Sequence, residues 1–189
     1  MTENSEVRYE FYNGEVFAMA GGTPSHAYIA DNLVVGLGPK CRAKGCRTVG
    51  SDLRVRIEES GYHTYPDLTL ICGKPELASD DPNSLVNPIA IFEVLSPGTE
   101  RHDRRFKLNQ YRLIPSVKQV VLVAQDAMSV ESYEPTEKGW FVQILTKPDE
   151  RLELPIEGVS IPLSEIYEGI ELPPDEGQNG LTPSAASPL

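Results

Sequence analysis

The chain has 189 residues, of which 40% are hydrophobic, and it carries a formal net charge of −11 with a sequence pI near 4.7. This length and composition predict one folded domain with its own core and exclude a disordered chain. The acidic balance argues against a protein that coats nucleic acid non-specifically, because phosphate binding depends on a positive surface. The polar N-terminus lacks the apolar stretch of a secretory signal, and no apolar run reaches the roughly 18 to 20 residues of a membrane helix. We therefore expect a cytoplasmic protein that does not engage a membrane, with its three cysteines reduced.

The first predicted element is a hairpin over 8–19, because Asn13-Gly14 is a strong two-residue turn signal between apolar strands. Thr23-Pro24 then starts an amphipathic helix, whose apolar residues recur at helical spacing and which we expect to end or kink near Gly38.

Strands dominate the middle of the chain, interrupted by one basic helix. Strands are predicted over 50–57 and 65–72, followed by a polar loop over 73–88 and an almost unbroken apolar strand over 89–95. The basic helix follows over 101–113, then strands over 117–124, 129–133 and 140–146, and a short helix from Leu163. Residues 173–189 are rich in Pro, Gly and Ser and predict a disordered tail behind a single domain over 1–172.

This order of elements predicts an α/β (α+β) domain, a mixed central sheet flanked by helices with a hairpin at its N-terminus. Regular alternation of strand and helix is missing, which disfavours a Rossmann fold, and the chain contains no G-x-G-x-x-G, P-loop, G-x-S-x-G or H-E-x-x-H motif. The predicted core consists of Leu33, Leu37, Leu53, Val55, Leu68, Leu70, Ile91, Phe92, Val94, Val121 and Val123.

Glu93 is the most informative residue, because it lies inside a strand in which every other side chain is apolar. An ionised carboxylate in such surroundings costs several kcal/mol unless a cation or hydrogen-bond donors compensate. Asp67 opens an earlier strand after Pro66, where an isolated Pro-Asp would ordinarily be only a turn. On adjacent strands, however, the two carboxylates could share a hard cation such as Mg²⁺, which takes oxygen ligands and retains several waters.

The basic helix adds a candidate ammonium. Lys107 lies four residues after Asp103, with Gln110 and Tyr111 on the next turn. This spacing fits either a solvated ion pair or an ammonium beside the metal site. Arg101, Arg104 and Arg105 are candidate contacts to backbone phosphates, with a solvated helix face as the equal alternative.

These residues resemble the PD-(D/E)XK nuclease core, the restriction-endonuclease-like fold. The string FEVLSPGT at 92–99, followed by Asp103 and Lys107, is the specific part of the resemblance. It is joined by YEF and NGE within 9–15, PSH at 24–26, YPD at 65–67 and VVLV at 120–123. Together these strings are similar to the Uma-two family of bacterial endonucleases, over roughly 9–172.

The resemblance implies hydrolysis of phosphodiester bonds in nucleic acid, with DNA the expected substrate, dependent on Mg²⁺ or Mn²⁺. It makes Asp67 and Glu93 metal ligands, with the Val94 carbonyl as a further one, and gives Lys107 the part of the catalytic lysine. Nucleases of this architecture often pair to cut two strands, which makes a homodimer plausible. Four accessory candidates remain, namely Glu15, His26, Asp103 and Gln110.

One departure from the pattern concerns the lysine. The usual lysine, two residues after the acid, would be residue 95, which is Leu95 here, and Lys107 on the following helix is the matching position. Two other functions therefore stay open: a weak or inactive nucleic-acid-binding or regulatory module on the same fold, and a phosphoesterase for small molecules. A deep closed pocket would favour the phosphoesterase, and an open groove along the basic helix would favour the nuclease.

Overall fold

The structure is a computed structural model that describes residues 9–12, 15–18 and 22–173, with side chains described from residue 22 onward. Its strands are β1 Tyr9–Tyr12, β2 Glu15–Ala18, β3 Cys46–Gly50, β4 Arg54–Ile57, β5 Tyr62–Thr64, β6 Leu68–Cys72, β7 Leu77–Ala78, β8 Asp81–Leu85, β9 Ala90–Leu95, β10 Gln119–Ala124, β11 Val130–Thr136, β12 Gly139–Leu145, β13 Arg151–Glu153 and β14 Ser160–Pro162. Its helices are α1 Pro24–Arg42, α2 Glu100–His102, a π-helical segment Asp103–Lys107, α3 Leu108–Tyr111 and α4 Leu163–Ile166. The segments between 100 and 111 follow one another without a break and are called helix 100–111 below.

The main sheet is mixed and has six strands, in the order β12-β11-β10-β9-β6-β3. β9 and β10 are parallel and are connected through helix 100–111, whereas the other neighbouring pairs are antiparallel. All six residues of β9 are buried, as the apolar run predicts for a central strand. The expected mixed sheet with flanking helices is thereby confirmed.

A second sheet contains the predicted N-terminal hairpin. Its order is β2-β1-β5-β4-β8-β7, and β1 pairs with β2 in the antiparallel register expected of a hairpin. The turn residues 13–14 and the predicted tail beyond residue 173 lie outside the described residues. A short third sheet pairs β13 with β14.

Two apolar clusters cover the two faces of β9. Phe92 and Val94 pack into the cluster that contains the buried face of α1, and Ile91 and Leu95 pack into the cluster beside helix 100–111. By the alternation along a strand, Glu93 shares the second face. All the predicted core residues are buried except Leu53, which is half-buried because it lies in the turn between β3 and β4.

Helix α1 continues through Gly38 to Arg42 with Pro39 inside it, so of the two outcomes expected near Gly38, a kink or an end, the end is wrong. Thr23 caps the helix by accepting a hydrogen bond from the His26 N–H at 3.2 Å. Gly36 and Gly38 are buried within it, and the approach of β14 and α4 leaves no room for a side chain at Gly36. Tertiary packing therefore lets α1 continue through two glycines whose helix propensity is poor.

Four other expectations differ from the structure. The strand predicted over 50–57 is divided into β3 and β4 by a turn, and the strand predicted from Tyr65 begins only at Leu68. The loop expected over 73–88 contains β7 and β8. Their polar sequence did not predict strands, because one side of this small sheet is exposed.

Cys46 and Cys72 form a disulfide, contrary to the expectation of reduced thiols. The β3–β6 register places these two residues directly opposite one another, whereas Cys41 is free and buried. Among the described residues, no helix is long and apolar enough to span a membrane.

Candidate metal-binding site

The two carboxylates singled out above lie at the centre of the main sheet. Leu68 on β6 pairs with Phe92 on β9, and continuing this antiparallel register by one residue brings position 67 opposite position 93. Asp67 immediately precedes β6, and Glu93 lies within β9. Directly opposed residues of neighbouring antiparallel strands project to the same face of the sheet, so both acids occupy one face at the end of the β6–β9 ladder.

Asp67 is held by the main chain and by the first turn of α1. The Val94 N–H donates to Asp67 Oδ2 at 2.7 Å, and His26 Nε2 lies 3.2 Å from the same oxygen. The hydrogen bond with Asp67 raises the pKa of His26, and burial only partly opposes it. A protonated His26 would therefore neutralise part of the charge on Asp67.

Glu93 is only 3% exposed and receives two donors from helix 100–111. Lys107 Nζ lies 3.2 Å from Glu93 Oε1, and the Tyr111 hydroxyl donates to the same oxygen. Burial raises the pKa of Glu93 to about 8, and the charges of Asp67 and Asp103 add to the effect, while Lys107 and the Tyr111 hydrogen bond oppose it. Lys107 and, when protonated, His26 are the cationic side chains that the described residues place beside this group of carboxylates.

The π-helical segment brings a third carboxylate to the same place. Asp103 and Lys107 are its first and last residues, both are buried, and Lys107 Nζ lies 3.3 Å from Asp103 Oδ1. The backbone N–H of Leu108 bonds to the Asp103 carbonyl, the i to i+5 pattern that widens a helical turn. Such π-turns are frequent at functional sites.

The other predicted site residues differ in exposure and in the partners that they contact. Arg101 and Arg105 are exposed, whereas Arg104 is engaged by Glu100 at 2.6 Å and by Glu131 at 2.5 Å. The Gln110 side chain accepts a hydrogen bond from Ser60 at 2.5 Å and so faces the turn between β4 and β5. Glu15 lies on β2, where side chains are not described.

Sequence reasoning missed the role of Tyr111. This fully buried tyrosine links Glu93 to Thr64 on β5 by hydrogen bonds, so the second sheet also fixes the glutamate. The signal was present in the sequence, since Tyr111 lies four residues after Lys107 and therefore shares its helix face. The sequence did not show how deeply this face of the helix is buried.

The donor set suits a hard cation, although it is sparse. Among residues 22–173, no group of three or more His, Cys, Asp or Glu side chains is arranged to hold a metal ion. Two opposed carboxylates and the Val94 carbonyl are nevertheless oxygen donors, and Mg²⁺ usually takes one or two protein carboxylates and completes its shell with water and phosphate oxygens. A buried, incompletely compensated acid in such a group is a recognised mark of a functional site.

A mixed sheet with two acids opposed at neighbouring strands, beside a helix that carries a lysine, is the arrangement that the resemblance to the restriction-endonuclease-like nuclease fold implies. A solved structure from Anabaena variabilis ATCC 29413, described as a putative nuclease belonging to DUF820, matches with a TM-score of 0.71 over 86% of this chain and 91% of that one. At 16% sequence identity this likeness shows the fold alone.

The chain belongs to the Uma2 (Uma-two) family, described as "Putative restriction endonuclease", whose model matches residues 1–164. Two uncharacterized proteins of Synechocystis sp. are similar to it over most of their length. The protein slr1290 is 27% identical over 168 residues, which is 89% of this chain and 87% of that protein. The protein sll1609 is 28% identical over 152 residues, which is 80% of this chain and 86% of that protein. The resemblance noted in the sequence is thereby confirmed.

Proposed function

We propose that this protein is a Mg²⁺- or Mn²⁺-dependent endonuclease that hydrolyses phosphodiester bonds in nucleic acid, with DNA as the expected substrate. One observation carries the proposal: Asp67 and Glu93 are opposed on neighbouring strands, and the Lys107 ammonium lies 3.2 Å from Glu93. Nuclease chemistry on this fold needs two acids for a cation and one ammonium beside them, and these three residues meet that need.

Asp67, Glu93 and the Val94 carbonyl would hold the cation. When bound, the cation supplies charge that polarises a phosphate oxygen and lowers the pKa of water. The hydrogen bond from the Val94 N–H already orients Asp67, and Tyr111 orients Glu93. Such outer contacts fix the position of metal-binding carboxylates.

Lys107 would orient the attacking water and offset the negative charge that develops on the phosphate. Its burial supports this role, because Lys107 is 6% exposed and faces Glu93 rather than solvent. Leu95, at the usual lysine position, is buried in the apolar cluster beside helix 100–111. A lysine on this helix thus occupies the neighbourhood that the strand position would otherwise supply.

Arg101 and Arg105 are the candidate phosphate contacts, because both are exposed on the helix that carries Lys107. Arg104 is a weaker candidate than the sequence suggested, since Glu100 and Glu131 already neutralise it. Two exposed arginines would position a nucleic-acid backbone without reading its base sequence.

The small-molecule phosphoesterase is the less favoured alternative. A cleft of about 240 Å³ lies between β4 and the end of helix 100–111, lined by residues that include Arg56, Glu58 and Ile114. None of the predicted site residues lines this cleft. A weak or inactive binding module remains the other alternative, and cleavage assays separate it from the nuclease.

The test is cleavage of single- and double-stranded DNA and RNA with Mg²⁺ or Mn²⁺, by wild type beside Asp67→Asn, Glu93→Gln and Lys107→Met. We expect each variant to lose at least about 100-fold in rate, the scale of a lost acid–base or electrostatic contribution. Glu157→Gln and Lys118→Ala, at exposed positions, are the matched controls and should cleave as wild type does.

Two results would overturn the proposal. One is cleavage that persists in all three site variants, which would trace the activity to another site or a contaminant. The other is absence of cleavage by wild type on every substrate with either metal, which would favour the binding module. Circular dichroism of each variant separates lost chemistry from lost folding, because removing one partner of a buried ion pair is destabilising.

A further inference from the structure

Strand β12 forms an edge of the main sheet, and its side chains on the face that carries Glu93 are incompletely covered. The register connects Glu93 to Ile144 through directly paired residues of β10 and β11, so these two side chains share a face. Val142 and Trp140 lie two and four positions before Ile144 and point the same way. Ile144 and Val142 are 60% and 41% exposed, and Trp140 is half-buried. These three side chains are called the β12 strip below.

Helix 100–111 lies between Glu93 and the β12 strip. Lys107 on this helix contacts Glu93 at 3.2 Å, whereas Arg112, at its C-terminal end, contacts aromatic rings of β11 and β12. Three strand spacings separate Glu93 from Ile144, a distance of about 14 Å, which is roughly four nucleotides at the 3.4 Å rise of a stacked strand. A bound nucleic-acid strand could therefore contact both places at once.

Arg112 places a cation at one end of the strip. Its guanidinium carbon lies 5.3 Å from the ring centroid of Trp140 and 5.6 Å from that of Tyr133, within the range of a cation–π interaction. No carboxylate among residues 22–173 forms an ion pair with Arg112. Glu131, which shares this face, is already paired with Arg104 and with the Tyr133 hydroxyl. Apolar surface, an aromatic ring and an uncompensated guanidinium thus lie side by side.

We propose that the β12 strip and Arg112 form a stacking platform for the unpaired bases of a single-stranded nucleic acid. Bases stack on aromatic rings and on guanidinium planes, and such contacts tolerate any sequence because every base has a π face. Bases inside a duplex are stacked on one another and offer only their edges in the grooves, so a duplex does not fit this surface. The inference rests on the proposed function, because the metal site would cleave the strand that the platform holds.

A protein is the other occupant that an exposed apolar strip could take. Two observations favour nucleic acid: the strip shares a face of the sheet with Glu93, and the cation beside it suits a phosphate backbone. Arg101 and Arg105 add exposed positive charge on the helix between them. Because the chain as a whole carries a net charge of −11, we expect binding to be local to this face and weakened by salt.

Intrinsic fluorescence tests the platform directly, because Trp140 is the single tryptophan of the chain. The full chain is titrated, with a chelator present to prevent cleavage, with an oligothymidylate of about 12 nucleotides, which exceeds the path from Glu93 to the strip. We expect this single strand to quench the fluorescence, and a duplex of the same length to leave it unchanged.

Three results of this titration would overturn the platform. The first is an oligothymidylate that binds, as its own fluorescence anisotropy shows, without quenching Trp140. The second is no binding at about 100 μM protein, the weak end of non-specific affinities for nucleic acid. The third is equal quenching by the duplex, which would remove the assignment to single strands.

Substitutions on the two faces of β12 separate base stacking from a general effect on the strand. Trp140→Ala should weaken binding about fivefold or more, the usual effect of losing one stacked base, and Trp140→Phe, which keeps a ring, should lose less. Phe141→Ala is the matched control, because Phe141 is 58% exposed on the opposite face, and it should bind as wild type does. Equal losses in Trp140→Ala and Phe141→Ala would overturn the platform.

The outcome can be told apart from that of the cleavage assay, because binding is measured without metal. Wild type that cleaves nucleic acid but shows no quenching of Trp140 would overturn the platform and leave the nuclease intact. Wild type that is quenched by the single strand but does not cleave would support the platform and overturn the nuclease.

Discussion

Glu93 is the residue at which burial and charge oppose each other most directly. It is surrounded by the apolar side chains of β9, yet Lys107, Asp103 and Asp67 all act on its charge. The glutamate has to be neutral, paired or bound to a cation, because an isolated buried carboxylate is too costly. Its environment therefore couples stability to pH at one side chain, and the proposed function adds metal binding to that coupling.

This coupling predicts a pH dependence of stability in the presence of a chelator. The pKa of Glu93 is about 8 in the folded protein and 4.5 in the reference state. The folded state thus keeps a proton that the unfolded state releases, and the free energy of unfolding should fall as pH rises from about 5 to about 8. One titrating group can change the free energy of unfolding by up to about 1.4 kcal/mol per pH unit. We therefore expect this free energy to fall by an amount on the order of 2–4 kcal/mol over that pH range.

Urea unfolding at successive pH values measures this loss. Glu93→Gln lacks the titrating group and should show a flatter profile, whereas the exposed control Glu157→Gln should follow wild type. His26 contributes with the same sign, because its raised pKa gives stability that is lost as pH rises through the folded value. A profile for Glu93→Gln as steep as that of wild type would contradict the assignment to Glu93.

At the scale of elements, helix α1 shows how close packing fixes a glycine. A Cβ at Gly36 would lie 2.5 Å from Glu165 Oε1 and 2.7 Å from Ile161 Cδ1, whereas a Cβ at Gly38 would come no closer than 3.4 Å to Thr48 Oγ1. The glutamate tip could move aside, but Ile161 is fully buried. The two glycines therefore differ in packing although both interrupt the helical pattern.

Alanine substitutions separate these two glycines. Gly36→Ala should destabilise the protein by about 1–3 kcal/mol through overpacking, despite the better helix propensity of alanine. Gly38→Ala should be neutral or stabilise by roughly 0.5–1 kcal/mol, because it restricts the unfolded chain without a close contact. Thermal unfolding of both variants measures the difference, and equal effects would show that α1 can shift to admit a methyl group at either position.

For the whole molecule, a divalent cation should act as a stabilising ligand. Mg²⁺ at about 100 times its dissociation constant should raise the free energy of unfolding by about 2.7 kcal/mol, because it binds the folded state and not the unfolded one. For a chain of this size that corresponds to a rise in melting temperature of roughly 5–10 °C. The effect should be larger at pH 8 than at pH 6, since the cation replaces the proton on Glu93.

Asp67→Asn and Glu93→Gln should abolish the stabilisation by Mg²⁺, and Glu157→Gln should retain it. Differential scanning calorimetry with and without a chelator measures the shift. An unchanged shift in both site variants would place the cation elsewhere, and no shift in wild type at millimolar Mg²⁺ would contradict metal binding at this site.

Much of the fold was predictable because short sequence patterns, such as apolar runs, turn signals and helix starts, specify its elements. The apolar run over 89–95 predicted a central strand, the Asn13-Gly14 signal predicted the hairpin, and Thr23-Pro24 predicted the start of α1. Predictions failed where long-range contacts override propensity. The continuation of α1 past Gly38, the strands β7 and β8, and the disulfide between Cys46 and Cys72 all depend on neighbours distant in sequence.

The sequence by itself determined the mixed α/β class, the family resemblance and the choice of Asp67, Glu93 and Lys107, because an acid in an apolar strand and a specific string of residues are visible without coordinates. Tertiary structure alone decided that positions 67 and 93 are opposed, that Lys107 and Tyr111 both reach Glu93, and that β12 is left as a bare edge. These features depend on strand order and register, which bring together residues far apart in the chain and have no local signature.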